Sequence, residues 1–467
     1  MKRLLAIVLA SWLPAAALAQ ALPASVREAL ARAGVPESAV GAVVEPVEGG
    51  RRIVDHQSAR PLNPASTLKL VTTFAALDIL GPAFTFGTDF LAAGDLANGV
   101  LAGDLVIRGG GDPELTYERL WQTLRQLRAR GLREVRGDVV LDRGYFAPAF
   151  HDPGSFDGES RRAYNVGPDA LLLNFKAITF HFSPDASGVR VTGEPDFPSV
   201  EIASRLRPVD EACGNWRRGL KYEIEENGLL ATVVFSGTYP SQCGEKDWPL
   251  SVFDPDRYAE ATFRWLWSEV GGRLTGKVRS GSTPAEAKLL FRRESEPLAE
   301  LVRNTNKFSN NVMARQIFLA LSAEKTGLPA EVAASGRIVR EWLASRGIPA
   351  AGLVLENGSG LSRAARIPAA ALAALLRNAW SSAVMPELMS SLSLFAVDGT
   401  FKSKNGPAAG QAHLKGGTLT GVQSIAGYVL DDRGRRWVVV MIANHENANR
   451  AQAAFDDLVE WTYRQGK

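Results

Sequence analysis

Pro64-Ala65-Ser66-Thr67-Leu68-Lys69-Leu70-Val71-Thr72 is the stretch from which the rest of the chain can be read. Leu70, Phe74 and Leu77 recur at i, i+4 and i+7, so the spacing predicts a buried helix from about Ser66 to the Leu80-Gly81 stop. Ser66 and Lys69, three residues apart, then share one face of that helix. A serine hydroxyl becomes a useful nucleophile when a neighbour takes its proton, and a lysine amine does so once burial or a second cation lowers its pKa. The competing reading is that Ser66 caps the helix, its hydroxyl accepting an orphan backbone N–H. These residues alone do not separate the two, because the same spacing recurs at Ser322-Ala323-Glu324-Lys325, where it carries no function.

On the N-terminal side, Ser25 to Ala33 reads as a short helix, and Gly41 to Val47, Gly49-Gly50 and Arg52 to Asp55 as strand, turn and strand. Near the C-terminus, Lys415 to Leu419, Gln423 to Leu430 and Arg436 to Ala443 read as strands, followed by a helix with Phe455, Leu458 and Thr462 inward. Neither set is wide enough to be stable alone, so pairing them predicts one antiparallel sheet of about five strands backed by terminal helices. The fold class is therefore α/β in the α+β sense, and what lies between is an insertion. We expect the main domain over residues 20–83 and 249–467, with the helix at Tyr258 to Val270 belonging to it, and an inserted region over 84–248. That region divides into a small β-α-β lobe at about 95–145 and a β-rich lobe from about 84–94 and 146–248. Gly109-Gly110-Gly111 is a turn, since it lacks the Lys-Ser/Thr of a phosphate loop and does not open onto a helix.

Composition narrows the function. The chain has 467 residues, 46% of them hydrophobic, enough for more than one core. Lys2 and Arg3, the apolar Leu4 to Leu13 and the A-x-A site Ala17-Leu18-Ala19 read as a signal peptide over 1–19, which predicts export to the periplasm. No later stretch reaches the roughly 18 residues of a membrane span. The 53 Lys+Arg and 50 Asp+Glu become 51 and 50 once Lys2 and Arg3 are removed, a balance without the basic stripe of a nucleic-acid binder. Cys213 and Cys243 are expected to pair in an oxidising compartment, stabilising by about 3.5–4 kcal/mol on the chain-entropy account. With five histidines and no Cys or His pairs at ligand spacing, no metal and no cofactor are expected.

Two further short motifs follow in order. Ser309-Asn310-Asn311 stands where a loop enters a helix whose apolar face is Met313, Ile317, Ala320 and Leu321, and Lys415-Gly416-Gly417-Thr418 begins a strand. Capping is the competing reading for Ser309 and Asn311, and a solvated strand lysine for Lys415. Lys325-Thr326-Gly327 and Ser403-Lys404-Asn405 are decoys of the same patterns; the first ends a helix, with Gly327 as its C′ residue. S-x-x-K, S-x-N and K-x-G-T in this order are the signature set of penicillin-binding proteins and serine β-lactamases. Asn63 to Leu70, Gly103-Asp104-Leu105 through Gly109-Gly110-Gly111-Asp112-Pro113-Glu114-Leu115, Asn357-Gly358-Ser359-Gly360-Leu361-Ser362-Arg363 and Asp398-Gly399-Thr400 extend the likeness over nearly the whole mature chain. The chain resembles the class C low-molecular-mass penicillin-binding proteins, the D-alanyl-D-alanine carboxypeptidases/endopeptidases of cell-wall turnover.

The resemblance implies a penicillin-binding/β-lactamase-like transpeptidase domain carrying two inserted, mainly-β lobes. It also implies a serine DD-peptidase acting on peptidoglycan stem peptides and acylated by β-lactams as covalent inhibitors. Ser66 would attack the carbonyl between two D-alanines while Lys69 takes its proton, with the Ser66 and Thr418 amides as oxyanion donors. Ser309 would relay a proton to the leaving amine, Asn311 would bind the acylated peptide or Lys69, and Lys415 would keep Lys69 neutral and attract the substrate carboxylate. Gly416, Gly417 and Thr418 would line the substrate strand. Gly416 departs from the family, which usually has Thr there to touch that carboxylate, and the departure bears on carboxypeptidase more than on endopeptidase activity. A β-lactamase-like hydrolase and a weakly acylating peptidoglycan-binding scaffold are the alternatives.

Overall fold

The computed structural model describes residues 21–149 and 151–466. The leader expected over 1–19 lies outside the described residues. Six strands form the central antiparallel sheet, in the spatial order Val54–His56, Val40–Pro46, Arg436–Asn444, Val422–Leu430, Ala412–Leu419 and Ser393–Leu394. The N-terminal strand runs in register with the C-terminal one from Val40 opposite Ala443 to Pro46 opposite Trp437. The two ends of the chain are thus stitched into one sheet, as their narrowness required. The sixth strand, Ser393–Leu394, is too short to leave a periodic signal in the sequence.

Helices cover both faces of this sheet, which explains why Trp437 to Ala443, within the strand Arg436–Asn444, is an unbroken apolar run where a half-exposed strand would alternate. Val438, Val440 and Ile442 point into a core shared with Leu70, Phe74, Ile317 and Leu372. Their neighbours Val439, Met441 and Ala443 point the other way, against Val26, Leu30, Phe455 and Leu458 of the terminal helices Ala24–Arg32 and Gln452–Tyr463. The helix Lys69–Leu80 lies within the first of these cores, with Leu70, Phe74 and Leu77 fully buried. Phe74 meets the Trp342 ring edge-on at 5.0 Å, and Trp342 donates its Nε1–H to Asp78 one turn further along the same helix.

The insertion ends later than expected. Gly87–Ala93 pairs with Lys288–Glu294 along one edge, and Val139–Asp142 pairs in parallel with Val278–Ser280, so residues 87–294 close on themselves. The helix Pro255–Glu269, assigned above to the main domain, buries Tyr258, Phe263 and Trp267 against Leu120, Leu124 and Leu127 of the helix Tyr117–Ala129. Its amphipathic spacing told that it was a helix and not which core its apolar face would meet. Residues 87–93 also belong with the β-α-β part, pairing with Asp104–Gly109. The β-rich part holds two three-stranded sheets built from Ile178–Asp185, Gly188–Glu194 and Lys246–Leu250, and from Val200–Val209, Leu220–Asn227 and Leu230–Pro240. Cys213 and Cys243 are joined by a disulfide in this part. Among the described residues no helix is long and apolar enough to cross a membrane.

Because Phe74 is buried between the nucleophile helix and Trp342, Phe74→Ala should cost about 3–5 kcal/mol in urea unfolding of the main domain. A loss below about 1 kcal/mol would mean that this core collapses around the cavity.

Candidate active site

The nucleophile stretch begins with a strained residue. Ala65 sits at φ +45° and the following turn, Ala65–Leu68, is a 3-10 turn that runs into the helix Lys69–Leu80. Asn63 fixes the approach, its Oδ1 accepting from the Ala65 amide at 2.9 Å and its Nδ2 donating to the Ser362 carbonyl at 2.9 Å. The Ser66 hydroxyl makes no capping bond to the helix, which removes the bland reading of that serine. It faces Lys69 instead, with Oγ and Nζ 3.1 Å apart.

Lys69 is fully buried. Its Nζ reaches two further atoms, Asn311 Oδ1 at 2.7 Å and the Ser359 carbonyl at 2.6 Å. Both are pure acceptors, so a neutral amine would spend its two N–H bonds on them and turn its lone pair to the Ser66 hydroxyl. Burial first, then the charges of Lys415 and Arg315, hold the Lys69 pKa well below the ordinary lysine value. The electrostatics therefore favour the neutral amine, and the hydrogen-bond geometry accommodates it.

The second motif enters from the helix Asn311–Thr326. Its cap is Asn310, whose Oδ1 accepts from the amides of Val312 and Met313, leaving Ser309 and Asn311 free of that duty. Ser309 adopts φ +56°, a conformation that turns its hydroxyl toward the strand Ala412–Leu419. There Lys415, also fully buried, donates to Ser309 Oγ at 2.8 Å and to the Gly416 carbonyl at 2.7 Å, and burial takes its pKa down to about 7. The end of the preceding helix is fixed by Lys307, paired with Asp398 at 2.5 Å, which gives the Asp398-Gly399-Thr400 landmark a physical role.

The third motif explains its own glycines. A Cβ on Gly417 would stand 2.7 Å from the Ser66 amide nitrogen, 2.8 Å from the Pro64 carbonyl and 2.4 Å from Ser424 Oγ, so only glycine lets the strand lie against the nucleophile. Ser424 adds to this, donating to the Pro64 carbonyl at 2.6 Å. Gly416 is different: a Cβ there would meet the Phe401 ring edge at 3.2 Å, so Phe401 borders the space that a threonine would use. The Thr418 hydroxyl donates to Gln423 Oε1 at 3.1 Å, which leaves it no free proton with which to stand in for the missing one.

All five expected catalytic residues, Ser66, Lys69, Ser309, Asn311 and Lys415, thus come together. The decoys stay apart: Lys325-Thr326-Gly327 ends the helix with Gly327 at φ +88°, and Lys404 pairs with Asp456 elsewhere. Two contributors were missed. Ser359 acts through its carbonyl, in a loop where Thr72 also donates to the Gly358 carbonyl at 2.6 Å; a backbone acceptor leaves no side-chain signal in sequence. The stretch 163–169 of the insertion forms a wall beside Asn311, whose Nδ2 donates to the Tyr164 carbonyl at 3.3 Å. Among the described residues no acidic, His or Cys cluster could hold a metal ion.

Comparison with known proteins places the chain in a family. The model of the D-Ala-D-Ala carboxypeptidase 3 (S13) family matches residues 22–465. A D-alanyl-D-alanine carboxypeptidase DacB of Haemophilus influenzae is 26% identical over 420 residues, covering 88% of this chain and 86% of its own. A D-alanyl-D-alanine carboxypeptidase of Actinomadura sp. is 29% identical over 439 residues, covering 90% and 80%. The crystal structure of penicillin binding protein 4 (dacB) from Haemophilus influenzae superposes with a TM-score of 0.75 at 23% identity, over 93% of this chain and 99% of that one.

Gly417→Ala should cut acylation by about a hundredfold or more, the scale of losing an oxyanion donor, because the new methyl pushes the strand off the Ser66 amide. Stopped-flow acylation with a chromogenic cephalosporin reads this, and a rate within about threefold of wild type would mean that the strand and the nucleophile do not need this close approach.

Proposed function

We propose that this chain, which belongs to the D-Ala-D-Ala carboxypeptidase 3 (S13) family and is a serine DD-peptidase, uses Ser66 as its nucleophile and Lys69, held neutral, as the base. The observation that carries this reading is the placement of Lys69 Nζ between two acceptors and the Ser66 hydroxyl. The Ser66 proton passes to the Lys69 lone pair as Oγ attacks the carbonyl of the penultimate D-alanine. The oxyanion takes N–H bonds from the Ser66 and Thr418 amides. As the C–N bond breaks, the proton taken up by Lys69 passes by way of the Ser309 hydroxyl, which Lys415 holds in place at 2.8 Å, to the leaving amine, and Lys69 is neutral again. Water then attacks the ester, Lys69 takes its proton, and as the C–O bond breaks Lys69 returns that proton to Ser66 Oγ.

Lys415 supplies the positive charge for the substrate carboxylate without help from a hydroxyl at position 416. The substrates are peptidoglycan stem peptides, cleaved at the terminal D-Ala-D-Ala bond or at the cross-link, and β-lactams acylate Ser66 as covalent inhibitors. The leader pattern and the paired cysteines support a periplasmic site of action.

Incubating the mature protein with benzylpenicillin and weighing it intact should give a stable adduct on wild type and none on Ser66→Ala, which should also release no D-alanine from a D-Ala-D-Ala peptide. An adduct that survives in Ser66→Ala would place the nucleophile elsewhere. The pH profile of the peptidase should be bell-shaped: it falls in acid as Lys69 takes a proton, and falls above about 7 as Lys415 loses the charge that draws the carboxylate. A rate that keeps rising well into alkaline pH would remove Lys415 from that role.

A further inference from the structure

Arg315 lies one turn beyond Asn311 on the helix Asn311–Thr326 and is only 6% exposed. Buried Lys307 pairs with Asp398 and half-buried Arg293 with Asp112 at 2.8 Å, whereas Arg315, like the site residues Lys69 and Lys415, is buried with no acid paired to it. Its Nη1 donates to the Val166 carbonyl at 2.8 Å, and its buried Nε has no acceptor. Burial takes it down to about 10, so it remains charged at neutral pH. A buried charge without a counter-ion is costly and persists where something depends on it.

Among the described residues no carboxylate pairs with it. Its side chain lines a cavity of about 750 Å³ together with His151, Asp152, Glu331 and Glu356. Asp152 accepts from the Gly154 amide and Glu356 from the Ser362 hydroxyl. Glu331 stands just before the helix Val332–Ser345, and burial pushes His151 below its ordinary value, toward the neutral form. On the other side, the charged groups felt at Lys69 are Lys415 from the strand and Arg315 from the helix, with no carboxylate between them. The same helix face also holds the insertion in place. Asn311 donates to the Tyr164 carbonyl, Arg315 to that of Val166, and Gln316 to that of Asp169 at 2.8 Å.

We propose that Arg315 is a positioning residue for acylation: its unpaired charge, one turn from Asn311, biases Lys69 toward the neutral amine, and its bond to Val166 fixes the 163–169 wall beside the nucleophile. The field is a second source of like charge, independent of the strand that carries Lys415. It links the inserted region to the chemistry through one side chain. This rests on Lys69 being the base.

The test is the pH dependence of single-turnover acylation by benzylpenicillin in wild type, Arg315→Gln and Arg315→Lys. In Arg315→Gln the acid limb should move up by about half a unit to one unit, lowering the rate at the foot of the limb about three- to tenfold, with the limiting rate constant fitted to the bell within about twofold. Arg315→Lys, which keeps the charge, should return the limb to its wild-type position. Should Arg315→Gln not fold, Arg315→Met, which fills similar space without a polar atom, carries the same comparison. A limb left in place with a lowered limiting rate constant would make Arg315 a packing residue and overturn the proposal. A wild-type profile with no acid limb would instead remove Lys69 as the base, and the proposal with it.

Discussion

The structure depends on one buried lysine. Lys69 sits inside a protein core with two acceptors and a serine hydroxyl around its nitrogen and no carboxylate to stabilise its charged form. An ammonium in that position would lack hydration and face two other cations, whereas an amine keeps all three hydrogen bonds without that cost. The surrounding architecture is what keeps this arrangement from relaxing. The helix that carries Lys69 is buried against the central sheet, the loop that offers Ser359 is tied to Thr72, and the helix that offers Asn311 is capped by Asn310. The proposed nucleophile, Ser66, is thus set in place by folding, and little rearrangement is left for the moment of reaction.

The sheet has a second duty. Its strand Ala412–Leu419 presents Lys415 toward Ser309 and lays Gly417 against the Ser66 amide, which only a residue without a Cβ permits. That strand is held by pairing with Val422–Leu430, and through it with the strand that meets the N-terminal hairpin. The catalytic geometry therefore rests on residues from both ends of the chain. The long insertion returns to this site through backbone carbonyls at 164, 166 and 169, so it is a wall of the active site as well as a separate body of sheets.

Much of this was legible in the sequence, and the reasons are physical. Leu70, Phe74 and Leu77 announced a helix because burial on one face needs that period, and the apolar run from Trp437 to Ala443 announced a buried strand. The five polar side chains proposed for the site could be picked out because the expected chemistry demands one residue type at each place, and the structure brings the five together. The boundary of the insertion was misplaced because the helix Pro255–Glu269 has the same amphipathic pattern whichever core it joins, and only the pairing of Gly87–Ala93 with Lys288–Glu294 decides the matter. Ser359 was hidden because it acts through a carbonyl that every residue possesses. Arg315 was hidden because its position on a helix gave no sign that it would be buried without an acid.

The central claim is the charge state of Lys69, and the most direct measurement is NMR of the protein labelled with carbon-13 at the lysine Cε positions, with the Lys69 signal assigned from its loss in Lys69→Arg. The Lys69 signal should show the neutral-amine shift at neutral pH and titrate far below the ordinary lysine range. A Lys69 signal that stays in the ammonium position until strongly alkaline pH would leave Ser66 with no base within reach.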